Sequence, residues 1–179
     1  MPKFKSLLMD ESAVQRALMR IAHQITEKNK GIDGVCVVGI ERRGRPLAEQ
    51  IVKNLALIEG TTVPCGHLDI HFYRDDLTPD SENPVLRPTP LPFDVVGKKI
   101  VLVDDVMFTG RTARAAIEAV FAMGRPKEIQ LAILVDRGHR ELPIRADYVG
   151  KNIPTSSSEL VKVHFPPVDE DTCVALYDW

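Results

Sequence analysis

The chain has 179 residues, 44% of them hydrophobic and 27% charged, with a formal net charge of −2. That is enough chain for one sizeable core in an ordinary globular protein, and the charge balance excludes nucleic-acid binding by a global basic excess, so any such binding needs a local patch. No run approaches the roughly 18 apolar residues of a membrane span, and the start Met-Pro-Lys-Phe-Lys lacks an apolar signal core, so the sequence predicts one cytoplasmic domain over residues 1–179. Cys36, Cys65 and Cys173 are dispersed and lack Cys-x-x-Cys spacing, and they read as reduced residues rather than disulfides or a zinc site.

Asp10 or Ser12 can cap a first helix over residues 11–29, ending at Gly31, with Val14, Leu18, Ile21 and Ile25 as its apolar stripe. Arg16, Arg20, His23 and Lys28 lie off that stripe and read by themselves as a solvated face. Residues 34–40 are Val-rich and predict a buried strand. Glu41-Arg-Arg-Gly-Arg-Pro46 follows, with three arginines around a glycine at a strand end. That slot, ahead of a helix over residues 46–58, favours an anion-binding loop over a solvated basic turn. Pro46 suits the early helix and Gly60 its end.

Residues 63–73 alternate as in a half-buried strand. His67, Asp69 and His71 share one face, but alternate strand residues stand roughly 6–7 Å apart, which puts the outer pair about 13 Å apart. One ion cannot take all three, so they read as a polar sheet face or a subunit contact. Residues 74–95 carry five prolines and no period; a stretch of that kind in a small domain predicts a mobile lid near the active site.

The most informative stretch begins at Ile100. A short apolar run, residues 100–103, predicts a buried parallel strand. Asp104 and Asp105 follow at its end, then Val106, Met107 and Phe108, then Thr109-Gly110-Arg111-Thr112 leading into an Ala-rich helix over residues 113–123. A small-residue turn at a helix N-terminus offers unpaired N–H groups and a positive dipole end to a phosphate. The two carboxylates would repel that phosphate, but they suit sugar hydroxyls or a hydrated Mg2+. Together these groups describe a site for a phosphorylated ribose. The Gly-x4-Gly-Lys and Gly-x-Gly-x-x-Gly patterns are missing, which excludes a Walker A loop and a dinucleotide fingerprint. Residues 128–135 predict another buried strand, ending in the charged loop Asp136-Arg-Gly-His-Arg-Glu141, and residues 160–165 and 173–177 are two final β-like runs. Strand–helix alternation with charged loops at strand ends predicts an α/β fold with a mainly parallel sheet.

Residues 100–112 resemble the phosphoribosyl pyrophosphate motif of type I phosphoribosyltransferases: four apolar residues, two acids, a variable segment, then Thr-Gly-[Lys/Arg]-Thr. The resemblance implies that fold, with a parallel sheet flanked by helices, a small hood and a lid. It implies Thr109, Gly110, Arg111 and Thr112 on the 5-phosphate, and Asp104 and Asp105 on the ribose hydroxyls and, through water, Mg2+. Arg42, Arg43 and Gly44 would hold pyrophosphate, Arg74 would close over it, and Val106, Met107 and Phe108 would line the loop. Purine-salvage members carry a carboxylate where this chain has Phe108, which argues against a 6-oxopurine; Phe108 and residues 136–155 together argue against a purine or orotate phosphoribosyltransferase without an RNA role.

Residues 135–155 resemble the signature of the bifunctional pyrimidine operon attenuation regulator and uracil phosphoribosyltransferase family, PyrR. The likeness extends to residues 16–23, 39–44 and 73–77. It implies conversion of uracil and phosphoribosyl pyrophosphate to UMP and pyrophosphate, with uracil near Asp136, Arg137 and Val161. It also implies UMP-dependent binding of the leader mRNA of pyrimidine genes, promoting termination. The RNA face would use Arg20, His23, Lys28, Arg140, Arg145 and Lys151 across a homodimer or higher homo-oligomer; Met19 stands where Thr is frequent in the family. The alternative is a salvage phosphoribosyltransferase without an RNA role.

Overall fold

The computed structural model describes residues 1–70 and 90–179. Five strands, β2 (Val35–Ile40), β3 (Cys65–Leu68), β4 (Lys99–Met107), β5 (Glu128–Asp136) and β6 (Tyr148–Asn152), form a parallel sheet in the order β3-β2-β4-β5-β6. A second, antiparallel sheet, β1-β8-β7, is built from β1 (Lys3–Met9), β7 (Glu159–His164) and β8 (Cys173–Asp178). This small sheet is the hood. Three helices complete the described elements: α1 (Glu11–Asn29), α2 (Gly44–Glu59) and α3 (Arg111–Met123).

The central strands are apolar on both faces because both faces are covered. Val35, Val37, Val101, Val103, Ala132 and Leu134 point to one side and pack with α1, α2 and the hood's Val161, Val163, Val174 and Leu176. Cys36, Val38, Ile40, Ile100, Leu102, Leu131 and Ile133 alternate to the other side, against the alanines of α3. Those alanines form the buried face of α3.

Element ends follow local chemistry. Asp10, rather than Ser12, caps α1 by accepting from Ala13 N at 2.8 Å, while Ser12 Oγ accepts from Arg16. Lys30, one residue before the expected glycine, takes the left-handed conformation that ends α1. The second helix begins at Gly44, two residues ahead of the expected start, and Gly60 closes it with φ of 73°. Two strands escape the sequence patterns. β1 is an exposed edge strand with little alternation, and β6 lies within a stretch read as loop.

Strand β3 ends at Leu68, short of the expected 63–73. The expected lid falls largely outside the described residues, and Arg74 and His71 lie there with it. Its described end is packed: Leu91 and Phe93 join the core beside α3, with Val95 buried.

Leu102 is fully buried between β4 and α3. Leu102→Ala is expected to cost about 3 kcal/mol, read as a lowered midpoint in urea unfolding at unchanged slope.

Candidate functional site

After β2 the chain moves to β3, through α2 on one face; after β4 it moves to β5, through α3 on the other. The carboxyl ends of β2 and β4 are therefore where the two crossovers diverge, and an open α/β sheet binds ligands in that crevice. The parallel ladder between them runs to Gly39↔Val103 and stops, while β4 continues along β5 to Met107↔Asp136. Asp104 and Asp105 thus lie inside β4, at the point where it loses β2 as a neighbour. The expected strand end at Val103 is its end on one side only.

Two glycines make this geometry possible. A Cβ on Gly44 would collide with the backbone carbonyl of Val103, and one on Gly39 would meet Arg45 Cα at 2.5 Å. The arginine loop can therefore fold back over the end of β2 and bring the start of α2 against β4.

The crevice has two compartments. One, of about 360 Å³, is lined by Asp104 and by residues 106–112, including Thr109, Gly110, Arg111 and Thr112. Gly110 sits at φ of 95° ahead of α3, so the helix's first N–H groups open into this space. Thr109 Oγ1 accepts from Arg111 N at 3.3 Å, and the Arg111 guanidinium donates to Glu141 at 2.8 Å. The other compartment, of about 440 Å³, is lined by Glu41, Arg42, Arg43, Asp69, Asp104, Asp105 and Thr112. Asp104 and Thr112 belong to both, so the acid pair stands between the phosphate turn and the arginine loop. Asp104 Oδ1 accepts from Asp105 N at 2.9 Å and Asp105 Oδ1 from Val106 N at 2.8 Å, which orients both carboxylates.

Arg43 is held from behind. Its Nε and Nη2 donate to the two oxygens of Asp169, at 3.1 and 3.0 Å. Asp169 lies in the β7–β8 loop of the hood, 126 residues away, and also accepts from Phe165 N at 2.9 Å. Hydrogen bonding to Arg43 holds the Asp169 carboxyl below its usual range and the Arg43 guanidinium above its own. Sequence reading missed this residue, and no local signal marks it. It also missed Asp69 as a crevice residue, although its position just past β3 repeats the slot of the other charged loops.

The residues expected to read a base are placed more structurally. The Asp136 carboxylate accepts from Gly138 N at 3.0 Å and from Arg140. Arg137 is buried and donates to Thr155 Oγ1, Ser156 O and Glu159 O, with its guanidinium face 4.2 Å from the Phe108 ring centroid. Burial lowers the Arg137 pKa. His139 meets the same ring edge-on. The Val161 side chain is packed in the core, which leaves only its backbone to a ligand. Phe108 itself is exposed at the mouth.

The expected basic face gathers where α1 lies beside β6. Arg20 donates to Gly150 O, and Lys28 pairs with Asp147 at 2.6 Å and covers Tyr148. Gln24, Arg140, Arg145 and Asn152 line an adjoining open concavity of about 640 Å³. Arg20, His23, Arg145 and Lys151 are exposed, and Lys151 Nζ reaches Leu8 O at 3.4 Å. Arg140 is turned inward, donating to Ile144 O, Phe108 O and Asp136. It braces the loop rather than extending into solvent.

The phosphoribosyl transferase domain model matches residues 7–168. Among solved structures, the chain is similar to the hypoxanthine phosphoribosyltransferase of Trypanosoma cruzi, with a TM-score of 0.74 and 16% identity over 98% of this chain and 97% of that one. A hypoxanthine-guanine phosphoribosyltransferase from Bacillus anthracis superposes with a TM-score of 0.68 at 16% identity, covering 99% of both chains. At that identity the likeness establishes the fold alone. With this sheet order, crevice and match, the chain belongs to the phosphoribosyl transferase family. Its similarity to individual sequences goes further. It is 59% identical over 176 residues to the Bifunctional protein PyrR of Caldicellulosiruptor saccharolyticus, covering 98% of this chain and 96% of that one. It is 57% identical, again over 176 residues, to the Bifunctional protein PyrR of Thermus thermophilus, at 98% and 97% coverage. Within the larger family, it is a member of the PyrR family.

The Arg43–Asp169 pair makes a pH prediction with a definite sign. The folded Asp169 pKa is lowered, so its contribution is complete above the unfolded value near pH 4 and is lost as pH falls through the folded value. Asp169→Asn is therefore expected to be less stable than wild type at neutral pH, with the deficit shrinking on acidification below about pH 4. Urea unfolding of both proteins across that range checks it; a constant deficit would remove the ion pair as the cause.

Proposed function

We propose that the protein transfers ribose 5-phosphate from phosphoribosyl pyrophosphate to uracil, yielding UMP and pyrophosphate, and that with UMP bound it attaches to the leader mRNA of pyrimidine genes and promotes termination there. The carrying observation is the crevice itself, where one acid pair stands between two anion-binding loops. In a chain of the PyrR family, that arrangement suits a substrate with a phosphate at one end, a diol in the middle and a pyrophosphate at the other.

Each group has a task set by its place. The α3 N-terminus with Thr109, Gly110, Arg111 and Thr112 takes the 5-phosphate. Asp104 and Asp105 accept hydrogen bonds from the ribose hydroxyls. Arg42, Arg43 and the backbone at Gly44 hold the pyrophosphate. The transition state resembles an oxocarbenium ion leaving a highly charged group, so fixed charges at both ends lower the barrier. The oxygen-rich edge made by Asp69, Asp104 and Asp105 fits a hydrated Mg2+. When bound, that ion would offset the charge of the pyrophosphate. Uracil lies by the Asp136–Arg137 loop and the backbone at Val161. There Arg137 acts by holding Phe108 and the segment 155–159 in place. The apolar Phe108 offers no carboxylate for a 6-oxopurine proton, which favours a pyrimidine.

For RNA, the exposed Arg20, His23, Arg145 and Lys151 are the phosphate and base contacts. Lys28 contributes part of its charge, because Asp147 offsets it. Association of two copies would extend this modest patch, and phosphate contacts make such binding salt-dependent. The whole chain acts as one unit in the cytoplasm, with UMP as both product and signal. Reciprocal linkage then requires RNA to tighten UMP binding by the factor that UMP tightens RNA binding.

Two assays test the reading. Purified protein with Mg2+, uracil and phosphoribosyl pyrophosphate is expected to form UMP, and Asp104→Asn or Asp105→Asn to lose about 100-fold or more in kcat/KM. Turnover of hypoxanthine or orotate in place of uracil would overturn the assignment. In filter retention with the 5′ leader of pyrimidine transcripts, UMP is expected to strengthen binding. Arg145→Ala is expected to weaken it about tenfold and lower the salt slope by about one. Binding absent under every nucleotide would leave only the salvage enzyme.

A further inference from the structure

Outside the crevice, the turn between β7 and β8 gathers three side chains of unlike chemistry. His164 and Cys173 are direct cross-strand partners in the antiparallel ladder, so their side chains leave the same face of the hood. Asp171 stands two residues before Cys173 and reaches both. His164 Nδ1 lies 3.0 Å from Asp171 Oδ1, and Cys173 Sγ lies 3.4 Å from Asp171 Oδ2. One ligand atom from each residue lies within 4.8 Å of the others. An imidazole, a thiol and a carboxylate at that spacing match the donors of tetrahedral Zn2+, whose bonds of about 2.0–2.3 Å set ligand atoms roughly 3.3–3.7 Å apart.

We propose that His164, Asp171 and Cys173 form a binding site for a borderline transition-metal cation, Zn2+ in the first place. The site goes beyond phosphoribosyl transfer and RNA binding and uses no residue of either. Three protein ligands leave a fourth position, which faces solvent because Asp171 is 64% exposed at its side chain and His164 28%. The mixed N, O, S set favours Zn2+ over Mg2+, which prefers oxygen alone. Asp169 stands close enough to influence both His164 and Cys173, though its charge is shared with Arg43. Burial, then the Asp171 carboxylate, push the Cys173 thiol up to about 11. An ion bound there would take Cys173 as the thiolate and release its proton to solvent. The site also spans the loop that presents Asp169 to Arg43, so an ion tying His164 to Asp171 and Cys173 would brace that loop.

The simpler account is a His–Asp surface pair with a thiol as bystander, and the experiment separates the two. Full-length protein is stripped with chelator and titrated with Co2+ in excess Mg2+, which keeps the carboxylates of the crevice occupied. The expected spectrum has a thiolate-to-cobalt charge-transfer band at one equivalent per chain, displaced by Zn2+. Cys173→Ser and His164→Gln are expected to abolish the band, while Cys65→Ser keeps it. Zn2+ is expected to raise the thermal midpoint of wild type but not of Cys173→Ser, with both variants folded by circular dichroism. No thiolate band in wild type, or a band unchanged in Cys173→Ser, would overturn the site. A band lost only in Cys65→Ser would place the ion elsewhere. None of these outcomes depends on uracil turnover or RNA binding.

Discussion

The constraint on which the rest depends is the close approach of two backbones where β2 and β4 part. Gly44 lies so near the Val103 carbonyl that no side chain fits between them, and Gly39 stands in the same relation to Arg45. That contact brings the arginine loop down beside the acid pair. Without it the arginine loop and the turn ahead of α3 would belong to separate surfaces. The apolar strands on both sides of the sheet then have one role toward the site: they hold β2 and β4 in the register that makes this approach possible.

The hood contributes more than burial. It sends Asp169 onto Arg43 through two hydrogen bonds, fixing one of the two arginines that line the crevice with the acids. A guanidinium already oriented by a carboxylate loses less freedom when it meets an anion. The same carboxylate also competes for the guanidinium's charge, so the pair sets how much of that charge the crevice receives. The loop at residues 136–141 shows a comparable economy. Arg137 and Arg140 spend most of their donors on protein atoms and thereby shape the mouth around Phe108.

Much of this was legible in the chain. The buried strands, the three helices and the phosphate turn follow from periodicity and from small residues at a helix start. The acid pair and the arginine loop were readable because both stand at strand ends before helices. β1 and β6 were not, since an exposed edge strand carries no clear alternation and β6 is only five residues long. Asp69 was read as a sheet-face residue because the strand was drawn too long; with β3 ending at Leu68, it falls into the crevice. Arg140, expected on the RNA face, spends its guanidinium on the loop, a fact that depends on partners four and 32 residues away.

By itself, the sequence determined the class of fold and the family, because these rest on short stretches whose residues act on their immediate neighbours. Only the tertiary structure decided which charges remain available. Arg43 with Asp169 and Lys28 with Asp147 are pairings across 126 and 119 residues. Such pairs are set by where the hood and β6 come to rest against the rest of the fold. That placement is a property of the packed core as a whole, and no single stretch of the chain carries it.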